Sequence, residues 1–298
     1  MSLQTEARPP AAGAVKVRHR REDGRDRVVM GSAHVVLAIW AVVVILPMLW
    51  TLMSSFKTNT AIFSSPFALP TGVNLDNYVT AWTQHGIGGY FVNTVLVVGG
   101  ALFLVMLLGA MCSYILARYE FPGRRGIYYM MLAGLTFPVF LAIVPLFFVM
   151  ENLGIRNTLP GLIVVYVAFA LPFTVFFLYA FFRSLPVEMS EAAQVDGAGH
   201  WRTFFSVMLP MAVPGMASVA IFNFLGLWNQ YLLPVALNTN RDNWVLSQGI
   251  ASFVSSAGYR TDYGAMFAAV VITVIPVLVI YVIFQRRLQG SVAQGTMK

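Results

Sequence analysis

Residues 159–182 read LPGLIVVYVAFALPFTVFFLYAFF, 24 positions without one charged side chain, and Arg183 ends the run. As an α-helix such a segment is about 36 Å long, enough to cross the roughly 30 Å hydrocarbon core of a bilayer. Five more runs of this kind occur, at about 35–53, 91–117, 126–150, 212–237 and 265–284. With 58% hydrophobic and only 10% charged residues among 298, and a mean hydropathy of +0.73, the chain is far more apolar than a soluble domain. The expected fold class is an all-α integral membrane protein with six transmembrane helices.

Pro138, Pro145, Pro172 and Pro276 fall inside the third, fourth and sixth runs. Interior prolines break helices in water, but in a bundle neighbouring groups satisfy the freed carbonyls, so kinks within continuous spans are expected. Six spans put both termini on one side, and the basic residues choose which. One side collects the N-terminal cluster, Arg118, Arg124, Arg125, Arg183, Arg202, Arg286, Arg287 and Lys298; the other has only Lys57, Arg156, Arg241 and Arg260. The rule that Lys and Arg stay inside makes both termini cytoplasmic. It also accounts for the net charge of +7 without a nucleic-acid partner.

Residues 1–28, with Lys16, Arg18, Arg20, Arg21, Arg25, Arg27 and Pro9-Pro10, show no apolar periodicity and read as a disordered basic cytoplasmic tail. The run after it is too long for the apolar region of a signal peptide and reads as a retained span. Residues 29–288 then form the transmembrane domain and 289–298 a C-terminal cytoplasmic tail. The lone Cys112 allows no intrachain disulfide and reads as a small buried hydrophobe. On the outer side, residues 57–90 and 238–264 are long connections, the first with Pro66, Pro70 and a short helix near 75–82. Composition fits a docking role for them and a capping role equally.

The connection at 183–214, RSLPVEMSEAAQVDGAGHWRTFFSVMLPMAVP, is too polar at its start to cross lipid and too patterned for a passive linker. Pro186 suits a first helical turn, and Glu188 and Glu191 suit its positive end. Asp196-Gly197 supplies a turn, Gly197 taking the positive φ that ends a helix. Trp201, Phe204, Phe205 and Met208 then recur at helical spacing, as a second amphipathic helix that Pro210 should stop. The pattern alone fits two uses: an elbow docked in another protein, or an interfacial helix resting on lipid headgroups.

The octapeptide EAAQVDGA at 191–198, followed by Leu209-Pro210 and Pro214, resembles the EAA loop of the permease subunits of ABC importers. Val207-Met208 departs from the isoleucine the family often carries there, an exchange that stays apolar. The resemblance implies that Glu191, Ala192, Ala193, Asp196, Gly197 and Ala198 seat in a cleft of a separate ATPase as short coupling helices. Further stretches resemble the smaller of the two permeases of maltose-type carbohydrate importers over nearly the full chain. They are Tyr114 to Arg118 with Phe121 and Gly123-Arg124, Val144 to Phe147, Leu153 to Thr158, and Phe224 to Leu232. Trp228-Asn229-Gln230-Tyr231 is similar to the family's Trp-Asn-Glu-Phe, with Gln230 in place of the acid. The end of the chain is similar to a tail that enters the ATPase dimer interface, implicating Gln294, Gly295 and Lys298; the Arg286-Arg287 pair alone would equally fit a membrane anchor.

What the resemblance implies is a permease subunit in a bacterial or archaeal cell membrane, moving a di- or oligosaccharide inward by alternating access. Its partners would be a homologous second permease, two ATPase subunits, and an extracellular or periplasmic solute-binding protein, with ATP and Mg on the ATPases and no cofactor here. The residues agree that energy comes from elsewhere, because no GxxxxGK[ST] phosphate loop occurs. His19, His34, His85 and His200 are scattered, without a metal-binding spacing. A membrane enzyme would need a convergent catalytic cluster, and an ion-coupled transporter buried Asp, Glu or Lys in spans nearly free of them. Asn223, Asn229 and Gln230, with Trp228 and Tyr231, are the candidates for the translocation pathway. For the amides the competing role is interhelical glue, and for the aromatics an interface belt.

Overall fold

The computed structural model describes residues 24–255 and 262–295, which are helical and contain no strand. Most of the basic N-terminal tail and Lys298 therefore lie outside the described residues. The chain divides into two units, Met1–Trp50 and Thr51–Lys298. Most of the first helix, α1 (Gly24–Ser54), belongs to the first unit; Pro47 lies inside it, and no charged residue follows Arg27.

In the second unit, the short helix expected near 75–82 is present as α3 (Asp76–Val79), prolonged by a π-turn over Thr80–Gln84. It follows α2 (Asn59–Ser64), whose N-terminus is capped by the hydroxyl of Thr58. The long helices are α4 (Ile87–Arg118) and α7 (Leu159–Ser184), with α5 (Arg124–Thr136) and α6 (Val139–Asn152) between them. Then come α8 (Glu188–Val195), α9 (His200–Arg202), α10 (Leu209–Trp228), α11 (Leu232–Leu237), α12 (Leu246–Ser255) and α13 (Tyr263–Gly295). Among the described residues five helices are long and apolar enough to cross a membrane, and α5 with α6 makes a sixth if that pair is one span.

Two expectations about these spans fail. The third run is not a kinked continuous helix: α5 and α6 meet at 109°, with Phe137 and Pro138 both extended. Proline pushes its predecessor out of the α region, and at Phe137 the chain takes that option rather than a kink. In the opposite sense, Pro210 does not stop a helix. His200–Trp228 is one helix of 29 residues, because the segment Thr203–Met208 winds as a π-turn and Leu209 N–H reaches back to Phe204 O. That five-residue register shifts the ladder by one just before the residue that lacks a donor. The fifth span accordingly starts earlier than expected and ends at Trp228 rather than 237, where Asn229 and Gln230 separate it from α11.

The core of the second unit is α4 laid along α7, with α10 across both and α13 against α10. Val97, Ala101 and Val105 recur every four residues on the buried stripe of α4 and share one buried cluster with Leu162, Val165 and Tyr166 of α7. Small residues set the separation: a Cβ on Gly109 would stand 2.4 Å from the Thr174 methyl. In lipid, where apolar burial gives helices little reason to associate, such close backbone approach supplies the van der Waals contact instead. Ser113 Oγ donates across the same seam to Val175 O at 3.1 Å.

Candidate functional site

Three features stand out. The first is the elbow. Helix α8 opens with Glu188 and Glu191 in its first turn, as expected, although Pro186 sits just ahead of the helix rather than in it. It ends in a Schellman turn: Gly197 N–H bonds Gln194 O at 3.0 Å and Ala198 N–H bonds Ala193 O at 2.9 Å, with Gly197 at φ +80°. Glu191, Ala192, Asp196 and Gly197 are exposed, Ala193 and Ala198 are half-buried, and Glu191 has no ion-pair partner among the described residues.

What holds the elbow lies behind it. Ser190, Thr203, Phe204 and Met208 are buried, and the Phe204 ring packs 5.1 Å from that of Tyr114 at the end of α4. Arg118 Nη2 donates to Leu185 O at 2.6 Å, tying α4 to the start of the α7–α8 connection. Tyr119 Oη and His200 Nδ1 are 3.0 Å apart. On the outward side Val195 is 87% and Trp201 67% exposed, and the Trp201 ring stacks on Phe205 at 12°. A helical element therefore presents charge and apolar surface together from a fixed base. Tyr114, Arg118 and Tyr119 escaped the sequence reading as parts of this base; the signal was their place just before the basic connection.

The second feature is a groove of about 350 Å³ between α7 and α10, lined by Phe169, Phe173, Phe222, Asn223, Gly226 and Gln230. Asn223 Nδ2 donates to Thr174 Oγ1 at 2.7 Å, so this buried amide also joins the two helices. Of the residues named from sequence, Asn223 and Gln230 come together here. Trp228 is turned into the core, its ring 5.5 Å from Phe224 and its Nε1 donating to Thr273 O at 3.1 Å. Asn229 is exposed, its amide bonding Leu225 O of its own helix, and Tyr231 is 48% exposed. The groove aromatics Phe169 and Phe173 were missed, although their spacing of four puts them on one helix face. Gln294 and Gly295 end α13, apart from both features in sequence.

The third feature is a polar clasp over the connection after α11. Asn157, at φ +59°, accepts from Thr239 N at 2.7 Å and takes the Asn243 amide on its carbonyl at 2.6 Å. Asn238 donates to Asn243 O, Gln248 donates to Asn238 O, and Asn93 bonds Asp242 O and Trp244 O. These amides hold the 238–246 segment in one shape, a role that scattered Asn residues do not announce in sequence.

Fold and composition together define a helical protein of the membrane-spanning class. Residues 105–294 match the family described as the inner membrane component of binding-protein-dependent transport systems, and the chain belongs to that family. It is a transport component, not an enzyme. It is similar to the diacetylchitobiose uptake system permease protein NgcG of Streptomyces coelicolor, 67% identical over 92% of this chain and 90% of that protein. The trehalose transport system permease protein SugB of Mycobacterium tuberculosis is 32% identical over 85% of this chain and 92% of its own length. Among solved structures, a chain of a bacterial ABC transporter that imports the acidic polysaccharide alginate superposes with a TM-score of 0.78 at 19% identity, over 89% of this chain and 98% of that one. The same kind of transporter in complex with an alginate pentasaccharide-bound periplasmic protein gives a TM-score of 0.65 at 17% identity, over 89% of this chain and 96% of that one.

Proposed function

We propose that this chain is one of two permease halves of an ABC importer for a short oligosaccharide, and that an N-acetylated disaccharide such as diacetylchitobiose is the first solute to try. The observation that carries this reading is the 67% identity to a diacetylchitobiose permease across 92% of the chain. Both termini would face the cytoplasm, and the elbow at 188–208 would sit in a cleft of a partner ATPase, which holds ATP and Mg. Its exposed Glu191 and Ala192 and its fixed Schellman turn support that use. A homologous permease would face the groove of Asn223 and Gln230, and a periplasmic or extracellular binding protein would deliver solute to the rigid outer segment around Asn157 and Asn238. The C-terminal residues Gln294, Gly295 and Lys298 would reach the ATPases. Closure of the ATPase dimer on ATP would then rock the helices as rigid bodies and expose the groove alternately to each side.

The test is uptake of labelled diacetylchitobiose, trehalose and maltose in cells lacking the chromosomal copy and complemented with this chain. Diacetylchitobiose should accumulate, and the doubly substituted Glu191→Ala/Gly197→Pro chain should reach the membrane without supporting uptake. No accumulation of any of the three sugars sinks the solute assignment; full uptake by the double variant sinks the coupling assignment.

A further inference from the structure

A basic cavity at the meeting of α5 and α7 has no part in the reading above. It measures about 660 Å³ and is lined by Arg124, Arg125 and Arg183 together with Tyr128, Tyr129 and Tyr179. Among the described residues Glu120 is the one carboxylate on its wall, its side chain 95% exposed and 3.4 Å from Arg124 Nη1. Three guanidinium groups and one carboxylate among the described residues line this hollow, an excess of two positive charges. The polar partner of Arg183 among the described residues is neutral: Nη1 donates to Tyr179 Oη at 3.4 Å, with the guanidinium 5.9 Å over that ring. Tyr128 packs 4.5 Å from Tyr179 and completes an aromatic wall. Like charges gathered this way repel unless an anion joins them, and the planar guanidinium is the group that pairs best with phosphate, two donors at a time.

Depth selects the anion. Arg183 is the last residue but one of the membrane helix Leu159–Ser184, and Arg124 is the first of α5. The ends of spans lie at headgroup level, where tyrosine is also at home. Beside the cavity α5 carries exposed apolar side chains three residues apart on one face, with Ile127 38% and Met130 61% exposed. Charge in a hollow and bare hydrocarbon next to it match an amphiphile: phosphate for the arginines, acyl chains for α5. We propose that this cavity binds the phosphate headgroup of an anionic phospholipid from the leaflet that meets this end of α5 and α7. Basic pockets between membrane helices take such headgroups, and juxtamembrane arginine adds attraction to an anionic leaflet.

Native mass spectrometry of the full-length chain in mild detergent tests it, titrating phosphatidylglycerol, phosphatidylcholine of the same acyl chains, or inorganic phosphate alone. One phosphatidylglycerol should stay bound at roughly tenfold lower concentration than phosphatidylcholine, a preference driven by the net charge of the hollow. The Arg124→Gln/Arg183→Gln chain should lose that preference, and an Arg156→Gln/Arg241→Gln control should keep it. Should the first pair not fold, judged by circular dichroism, Arg124→Lys/Arg183→Lys keeps the charge and should show a reduced but measurable preference. Equal retention of the two lipids, or phosphate competing as well as lipid, overturns the assignment. So does loss of copurifying ATPase with lipid retention intact, which would make the cavity a protein contact. None of these readouts depends on which solute is carried.

Discussion

At Gly109 a single hydrogen decides how closely two helices approach. Gly109→Val would drive a side chain into Thr174, which is fully buried, and overpacking of that kind costs about 1–3 kcal/mol. Thermal unfolding in detergent should register a clear drop in midpoint. Asn223 is the contrasting case. Asn223→Leu removes the bond to Thr174 Oγ1, yet that hydroxyl keeps its own bond to Ala170 O at 2.9 Å. Hydrogen bonds between membrane helices average about 0.6 kcal/mol, so the melting point should barely move. Because Asn223 also lines the groove, uptake by Asn223→Leu should fall far more than stability does; unchanged uptake would reduce the residue to glue. Gly109 and Asn223 differ in legibility as well. An amide in an apolar run declares itself, whereas a glycine in such a run looks like any small residue until its neighbour is known.

Among the elements, the elbow is the one whose internal chemistry was legible from its sequence. Acidic residues at the start and Asp-Gly at the end are local signals, and α8 with its Schellman turn is a local structure. Gly197→Ala tests it: φ +80° with a Cβ costs about 1–2 kcal/mol. The elbow is exposed at that point, so the substitution should weaken retention of the ATPase on copurification while leaving the melting of the bundle near wild type. The prolines show where legibility stopped. Pro145, Pro172, Pro214 and Pro276 all lie inside helices, Pro210 follows a π-turn, and only Pro138 accompanies a turn of 109°. Whether a freed carbonyl is satisfied depends on what packs beside it, and that information is tertiary. The groove was half legible for the same reason: its amides sit in one run, but two of its three aromatics, Phe169 and Phe173, come from α7.

Over the whole molecule, the proposed function requires that a push on the elbow arrive at the groove, and the second unit offers a short mechanical route. The elbow is fixed to α4 by the Phe204–Tyr114 packing and by Arg118, while α4 is fixed to α7 along its length, and Thr174 of α7 holds Asn223. Arg118 is the joint most open to test. Its Nη2 donates at 2.6 Å to Leu185 O, whereas its buried Nε has no hydrogen-bond partner among the described residues, so the tie to Leu185 is the contact to remove. Arg118→Met preserves much of the length and removes the donor, forfeiting a hydrogen bond to a charged group worth about 1.5–3 kcal/mol. If the joint carries force, the assembled transporter should still form and hydrolyse ATP, but solute uptake per ATP should fall several-fold. Arg118→Lys, which restores a donor without the planar fork, should recover part of the loss. Uptake and hydrolysis declining in parallel would instead mean that Arg118 serves assembly alone, and the route from elbow to groove would have to run elsewhere.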